Sequence, residues 1–304
     1  MSGLDQSGLP VTLDAVHLRY GATTALDDLS LQIPAGSITG LLGRNGSGKT
    51  SVLSLLGSYR RPTAGSVLIG GADPFENERV MEQVCLVRES GDVLAEERIG
   101  VNLRYAASAR PTWSEELAQS LLEVFELRPK DQVKSLSRGK RSALGIVLGL
   151  ASRAPLTMLD EVHLGMDAPS RYAFYEALLT DYAEHPRTFI LSSHLIGELD
   201  SMLEHAVVLD RGRLLASTSA EELRTRGMTL VGRATEVATF LAEAGLQVLG
   251  ERRLGPTTEV TVVREPGADL SDLEARVAGT GIEVGSISLQ DLFVHMTDRS
   301  QERP

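Results

Sequence analysis

A chain of 304 residues with a formal net charge of −11 at pH 7 has room for one large domain and a small one. The acidic excess excludes non-specific nucleic-acid binding, which runs on Lys and Arg neutralising phosphates, and the single cysteine, Cys85, excludes an internal disulfide and suits a reducing cytoplasm. A hydrophobic share of 42% supplies an ordinary core, but no apolar run approaches the roughly 18–20 residues that cross a bilayer.

Residues 1–10 read as a mobile tail without the basic and apolar segments of a secretory signal. Val11 to Leu18 and Leu29 to Ile33 alternate as strands do, with Tyr20 and Gly21 between them. Pro34-Ala35-Gly36 is a turn, and Ser37 to Leu42 a buried strand. A helix is expected over Lys49–Leu56, a turn at Pro62 to Gly65, and short strands over Ser66–Ile69 and Gln83–Val87. From about Asp92 to Ser152 the pattern is helical. There Thr112-Trp113-Ser114-Glu115 has the capping-box form, with Leu117, Leu121, Val124 and Phe125 on one face of the next helix. A second helix runs from Ser142 to Ala151, the longest apolar stretch.

Leu156 to Glu161, ending in two carboxylates, and Thr188 to His194, ending in two hydroxyls and an imidazole, then read as buried strands, and His205 to Leu215 as a hairpin turning at Arg211-Gly212. Strands alternating with helices imply a mainly parallel sheet covered on both faces. Beyond Gly227 the rhythm restarts as strand (Thr229–Gly232), helix (Ala234–Ala244), strands (Gln247–Leu249 and Glu259–Arg264), helix (Leu270–Ala278) and strand (Ile282–Ile287). That order is β-α-β-β-α-β, a small α+β ferredoxin-like unit. The ending Leu289 to Val294 is amphipathic and is expected to dock on the main body.

The chemistry concentrates at the first buried strand. Gly43-Arg44-Asn45-Gly46-Ser47-Gly48-Lys49-Thr50 fits G-x-x-x-x-G-K-[ST], the phosphate-binding loop. Gly43, Gly46 and Gly48 let successive N–H groups face phosphate oxygens, Lys49 brings a cation to the terminal phosphates, and Thr50 offers a hydroxyl to Mg²⁺. Asn45, Ser47 and Ser51 complete the cradle and its helix start. The strand–loop–helix context agrees with nucleoside triphosphate binding. Asp160, at the end of a buried strand, is suited to hold Mg²⁺ through water, and Glu161 to orient or deprotonate an attacking water. His194, at another strand end, can reach the γ-phosphate. Taken singly, a strand-end carboxylate pair is more often solvated, a lone histidine structural and a tyrosine such as Tyr20 part of a core. Their joint order and spacing favour chemistry.

In these motifs the sequence resembles the ATP-binding subunits of ABC transporters, across roughly residues 11–225. The resemblance rests on Gly43 to Thr50 (Walker A), Leu136-Ser137-Arg138-Gly139-Lys140 (the signature), Leu156 to Glu161 (Walker B and the catalytic glutamate) and His194 (the switch histidine). It implies an α/β P-loop NTPase core over residues 11–226 with a helical signature subdomain at about 92–152, followed by the small domain over 227–304. It implies ATP and Mg²⁺ as ligands, Tyr20 stacked on adenine, and Leu164 to Asp167 as the D-loop. It also implies a second ATP-binding subunit, most simply another copy, closing head to tail. ATP then lies between one phosphate loop and the partner's Ser137, Arg138, Gly139 and Lys140. A separate membrane-spanning permease would hold the protein at the cytoplasmic face of the membrane. The small domain and the ending Asp291 to Val294 look like those of bacterial drug or antibiotic exporter subunits.

Three departures from the family pattern bear on mechanism. Glu89 stands where a metal-reaching glutamine is expected, Arg138 and Lys140 replace Gly and Gln of the signature, and Val162 replaces Pro, followed by His163. A carboxylate at Glu89 is expected to touch Mg²⁺ and to couple with Arg138 across the dimer. His163 reads as structural or solvated. The expected function is ATP hydrolysis driving transport, with a weakly hydrolysing regulatory subunit or a non-transport ATPase of the same family as alternatives.

Overall fold

The structure is a computed structural model that describes residues 8–89, 92–263 and 276–297. It divides into two compact units, Met1–His194 with Met202–Ser217, and Leu195–Ser201 with Thr218–Pro304.

The first unit holds two sheets. Strands β1 (Val11–Tyr20) and β2 (Thr23–Ile33) form an antiparallel pair, and β4 (Ala64–Ile69) adds antiparallel to β1. The second sheet has the order β5-β6-β7-β3-β8-β9, with β3 (Ile38–Gly43), β5 (Val84–Arg88), β6 (Leu156–Asp160), β7 (Thr188–Ser193), β8 (His205–Asp210) and β9 (Arg213–Ser219). From β5 through β8 every pairing is parallel. Every residue of β3, β6 and β7 is buried, as expected of parallel strands covered on both faces. Helix α1 (Lys49–Leu56) buries Val52, Leu53, Leu55 and Leu56 in a core shared by both sheets, where they join Leu26, Leu41, Met158 and Ile190. Leu9 packs against that core and its carbonyl accepts a bond from Thr188 Oγ1 at 2.9 Å. Residues 8–10 are therefore anchored, unlike the expected tail, because the apolar Leu9 finds a buried seat.

Between β5 and β6 lie α3 (Ile99–Ala109), α4 (Glu115–Val124) and α5 (Arg138–Ala151), with the short α2 (Glu78–Met81) ahead of β5. The cap of α4 is Ser114, whose hydroxyl accepts from Leu117 N at 3.2 Å, while Thr112 instead donates to Ser152 O at 2.6 Å. Of the expected face, Leu121 and Phe125 are buried and Leu117 half-buried, whereas Val124 is exposed and Ala118 and Leu122 complete the buried stripe. Helix α5 begins at the signature, with Ser137 accepting from Lys140 N at 3.2 Å. Helix α6 (Ala168–Glu184) follows β6.

The second unit is built on an antiparallel sheet in the order β11-β12-β10-β13, from β10 (Gly227–Arg233), β11 (Gln247–Leu254), β12 (Thr257–Val263) and β13 (Glu283–Ser286). Strand β11 runs well past the expected Leu249, since its pairing with β12 continues to Leu254. Helix α9 (Ala234–Ala244) buries Val237 and Phe240 against Leu230, Val260 and Val262. Most of the helix expected over residues 270–278 lies outside the described residues. The unit also contains α7 (Ile196–Leu199), α8 (Ala220–Arg226) and α10 (Leu289–Thr297). The apolar side of α10 is buried through Leu289, Leu292 and Phe293, and Gln290 Oε1 accepts from Gly197 N of α7 at 3.2 Å.

Candidate functional site

All the candidate nucleotide-site residues lie in the first unit. One open cleft is lined by Tyr20, residues 45–51, Glu89, Glu161, Leu164 and His194. The parallel sheet explains the convergence. Strands β3, β6 and β7 run side by side, so their C-terminal ends deliver Gly43, Asp160 and Ser193 to one edge, where α/β folds place ligands.

The loop between β3 and α1 is a cradle for an anion. Gly48 has φ 109°, which L side chains rarely adopt, and a Cβ there would sit 2.8 Å from Leu26 Cδ2. Helix α1 starts with no side-chain cap and no acidic residue in its first turn, leaving its leading N–H groups to a ligand. Ser47 Oγ is buried with no hydrogen-bond partner, as suits a group meant for a phosphate oxygen. Lys49 is 6% exposed, and its Nζ donates to Gly43 O at 2.7 Å.

The same Nζ pairs with Glu161 Oε1 at 3.3 Å. Glu161 Oε2 lies 2.9 Å from His194 Nδ1, and the Glu161 backbone sits at φ 52°, a left-handed conformation that costs a non-glycine residue. Backbone bonds hold it there: Glu161 N donates to Ser192 Oγ at 3.1 Å and to Ser192 O at 3.3 Å. Ser192 Oγ in turn donates to Asp160 Oδ1. Asp160 is 5% exposed and lines, with Thr50, a second cleft beside Tyr59 and Arg88. A hydroxyl and a carboxylate are hard oxygen donors that fit Mg²⁺.

The departures sit differently from expectation. Arg138 Nη2 donates to Glu89 Oε1 within the same chain, both side chains largely exposed. Glu89 thus has a partner in cis, and among the described residues no three His, Cys, Asp or Glu side chains cluster to hold a metal. Arg88 pairs instead with Asp92 at 2.5 Å. Lys140 Nζ donates to Phe125 O at 2.6 Å and to Glu126 Oε2 at 3.2 Å, so the cation completes the C-terminal end of α4. Gly139 packs against the D-loop, where an added Cβ would lie 2.7 Å from Gly165 O. Asp167 caps α6 by accepting from Ser170 N at 2.9 Å, and the Ser170 hydroxyl, then its N–H, hold the carboxyl below the usual range. Tyr20 is half-exposed, with the Arg60 guanidinium 5.2 Å from its ring centroid. His163 is buried rather than solvated, because the turn after Glu161 folds it under the strand ends. Ser192, Ser193 and Arg60 join the site although only their types, not their directions, were readable.

Residues 26–163 match the family model described as ABC transporter. The chain is an ABC transporter ATP-binding protein. It is similar to the daunorubicin resistance ATP-binding protein DrrA3 of Streptomyces coeruleorubidus, at 28% identity over 314 residues, covering 94% of this chain and 95% of the relative. It is also similar to the aliphatic sulfonates import ATP-binding protein SsuB of Escherichia coli (strain K12), at 28% identity, covering 81% and 95%. A solved ATP-binding subunit of an ABC transporter superposes with a TM-score of 0.65 at 21% identity, covering 88% of this chain and 99% of that one. The ATP-binding protein carries an ABC ATPase domain, which hydrolyses ATP, and no described helix is long and apolar enough to cross a membrane.

Proposed function

We propose that this subunit powers an exporter of drugs or antibiotics through ATP-driven closure of a head-to-tail dimer at the cytoplasmic face of the membrane, bound there to a separate permease. The observation that carries the mechanistic part is the contact of Glu161 with both Lys49 and His194. A carboxylate held beside the phosphate-loop lysine is where a general base must stand to act on water at the terminal phosphate. In this reading Lys49, Ser47 and the start of α1 bind the phosphates, Tyr20 stacks on adenine and His194 orients Glu161 and the γ-phosphate. Thr50 and Asp160 would hold Mg²⁺, which supplies charge neutralisation of the phosphates when bound. Ser137 and Gly139 would present the start of α5 to the partner's ATP, and Asp167 would face the partner's site.

Export, rather than import, is supported by the resistance protein that matches along almost the whole chain, including the second unit. The strand order β11-β12-β10-β13 with every neighbour antiparallel supports the ferredoxin-like reading of that unit. The test is chromatography of the Glu161→Gln variant with Mg-ATP, combined with drug accumulation in cells carrying the subunit and its permease. A nucleotide-dependent dimer and lower accumulation, lost with Lys49→Ala, are expected. Monomer at every nucleotide concentration would refute the dimer, and unchanged accumulation would refute export.

A further inference from the structure

His163 has no assigned part in the site, yet it is among its most buried polar groups, at 3% exposure. A turn closed by Leu164 N donating to Glu161 O at 3.0 Å folds the chain back on itself. His163 therefore lies beneath Glu161, with Nε2 3.8 Å from Glu161 Oε2 and 3.2 Å from the buried Ser193 Oγ. The first distance is too long for a hydrogen bond but well within electrostatic reach, in surroundings where water screens little.

We propose that His163 is a positioning residue of the ATPase site, holding the Glu161 carboxylate in place for water activation. The inference rests on Glu161 being the general base. Among the described residues two side chains touch that carboxylate besides His163, and neither is a buried partner that it keeps when nucleotide binds. Lys49 holds Oε1, but the phosphate loop needs the same ammonium for the nucleotide, so ATP removes that partner. His194 holds Oε2 from a side chain that is 35% exposed, against 3% for His163. Once ATP takes Lys49, the buried polar neighbour left to Glu161 is the His163 imidazole, itself 3.2 Å from Ser193 Oγ. Glu161 needs such a brace because its left-handed backbone is strained and its rotamer governs where the proton-accepting oxygen points. His163 then acts on turnover, with little effect on ATP binding.

The test is a double-mutant cycle in the full-length chain, with steady-state and single-turnover ATP hydrolysis, ATP affinity and thermal melting as readouts. His163→Leu removes the polar edge at similar volume, and should lower kcat about 10-fold or more, as expected when a catalytic group is misplaced by an ångström or less. KM for ATP and the melting temperature should hold. His163→Gln restores a donor near the Nε2 position and should recover most of the rate. In the Glu161→Gln background, His163→Leu should slow the residual rate no further, since the two act through one carboxylate. Equal losses with Leu and Gln, an unchanged rate with Leu, or additive effects in the cycle would overturn the proposal. If His163→Leu does not fold, His163→Asn, whose amide falls short of Nε2, replaces it: Gln more active than Asn supports the role and equality overturns it. Wild-type turnover in Glu161→Gln alone would instead remove the general-base reading beneath it.

Discussion

Replacing Glu161 by Gln should do two opposite things at once: slow hydrolysis and tighten ATP binding. Before nucleotide arrives, Lys49 Nζ is 3.3 Å from Glu161 Oε1, and the two side chains are only 6% and 13% exposed. Coulomb attraction across that distance is about 5 kcal/mol at an effective dielectric of 20. Much of it offsets the loss of hydration, so the net worth of the charged contact falls to about 1.5–3 kcal/mol. ATP binding must give up that contact, whereas a glutamine amide holds Lys49 far more weakly. Its loss corresponds to a gain of about 10-fold or more in affinity, at about 1.4 kcal/mol per factor of ten. Lys49 Nζ also donates to Gly43 O at 2.7 Å, a bond that the substitution does not remove, so the lysine should stay in place. The assay is equilibrium titration of both proteins with a non-hydrolysable ATP analogue and Mg²⁺, beside turnover with ATP. Turnover should fall by about 10²–10⁴, the range for a lost general base. Affinity equal to or weaker than wild type would refute the reasoning that the pair competes with nucleotide.

Lys49→Ala should abolish productive ATP binding and strand the Glu161 carboxylate without its cation; unchanged affinity and turnover would overturn the phosphate-loop assignment. Breaking the contact of Glu89 with Arg138, by Glu89→Gln or Arg138→Gly, should leave the melting temperature within a few degrees, because exposed pairs contribute about 0–1 kcal/mol. Any effect on ATP-dependent dimerisation should be larger at low than at high salt, and equal effects at both would show that charge is not the cause. Burial pushes the His205 imidazole below its ordinary range, so the unfolded chain binds its proton first as the pH falls. The stability this contributes is complete above about pH 6.5 and is lost below it. Urea midpoints across that window should drop less in His205→Gln, and parallel curves would refute the assignment.

The phosphate loop, the strand-end Asp160-Glu161 pair and His194 were legible in the sequence because each depends on local chemistry. A tight glycine turn into a helix and carboxylates closing a fully apolar strand need only neighbouring residues to declare them. The helix over Ala234–Ala244 was readable for a similar reason, through its apolar period and the Gly245 that ends it at φ 64°. By contrast, only part of the face of α4 was readable: Leu121 and Phe125 are buried as expected but Val124 is exposed, since two overlapping apolar stripes share the same helical spacing and packing alone chose between them. Side-chain partners were beyond the sequence wherever they came from distant strands. Lys49 with Glu161 and His163 with Ser193 are separated by 112 and 30 residues and meet only because parallel pairing brings those strand and helix ends together, and the Glu89–Arg138 pair expected between two chains is made within one. Composition and spacing thus determined which groups are present and which ligand they suit. Tertiary structure alone decided which cation each carboxylate holds, since that choice is made by through-space distance and burial, to which local pattern is blind.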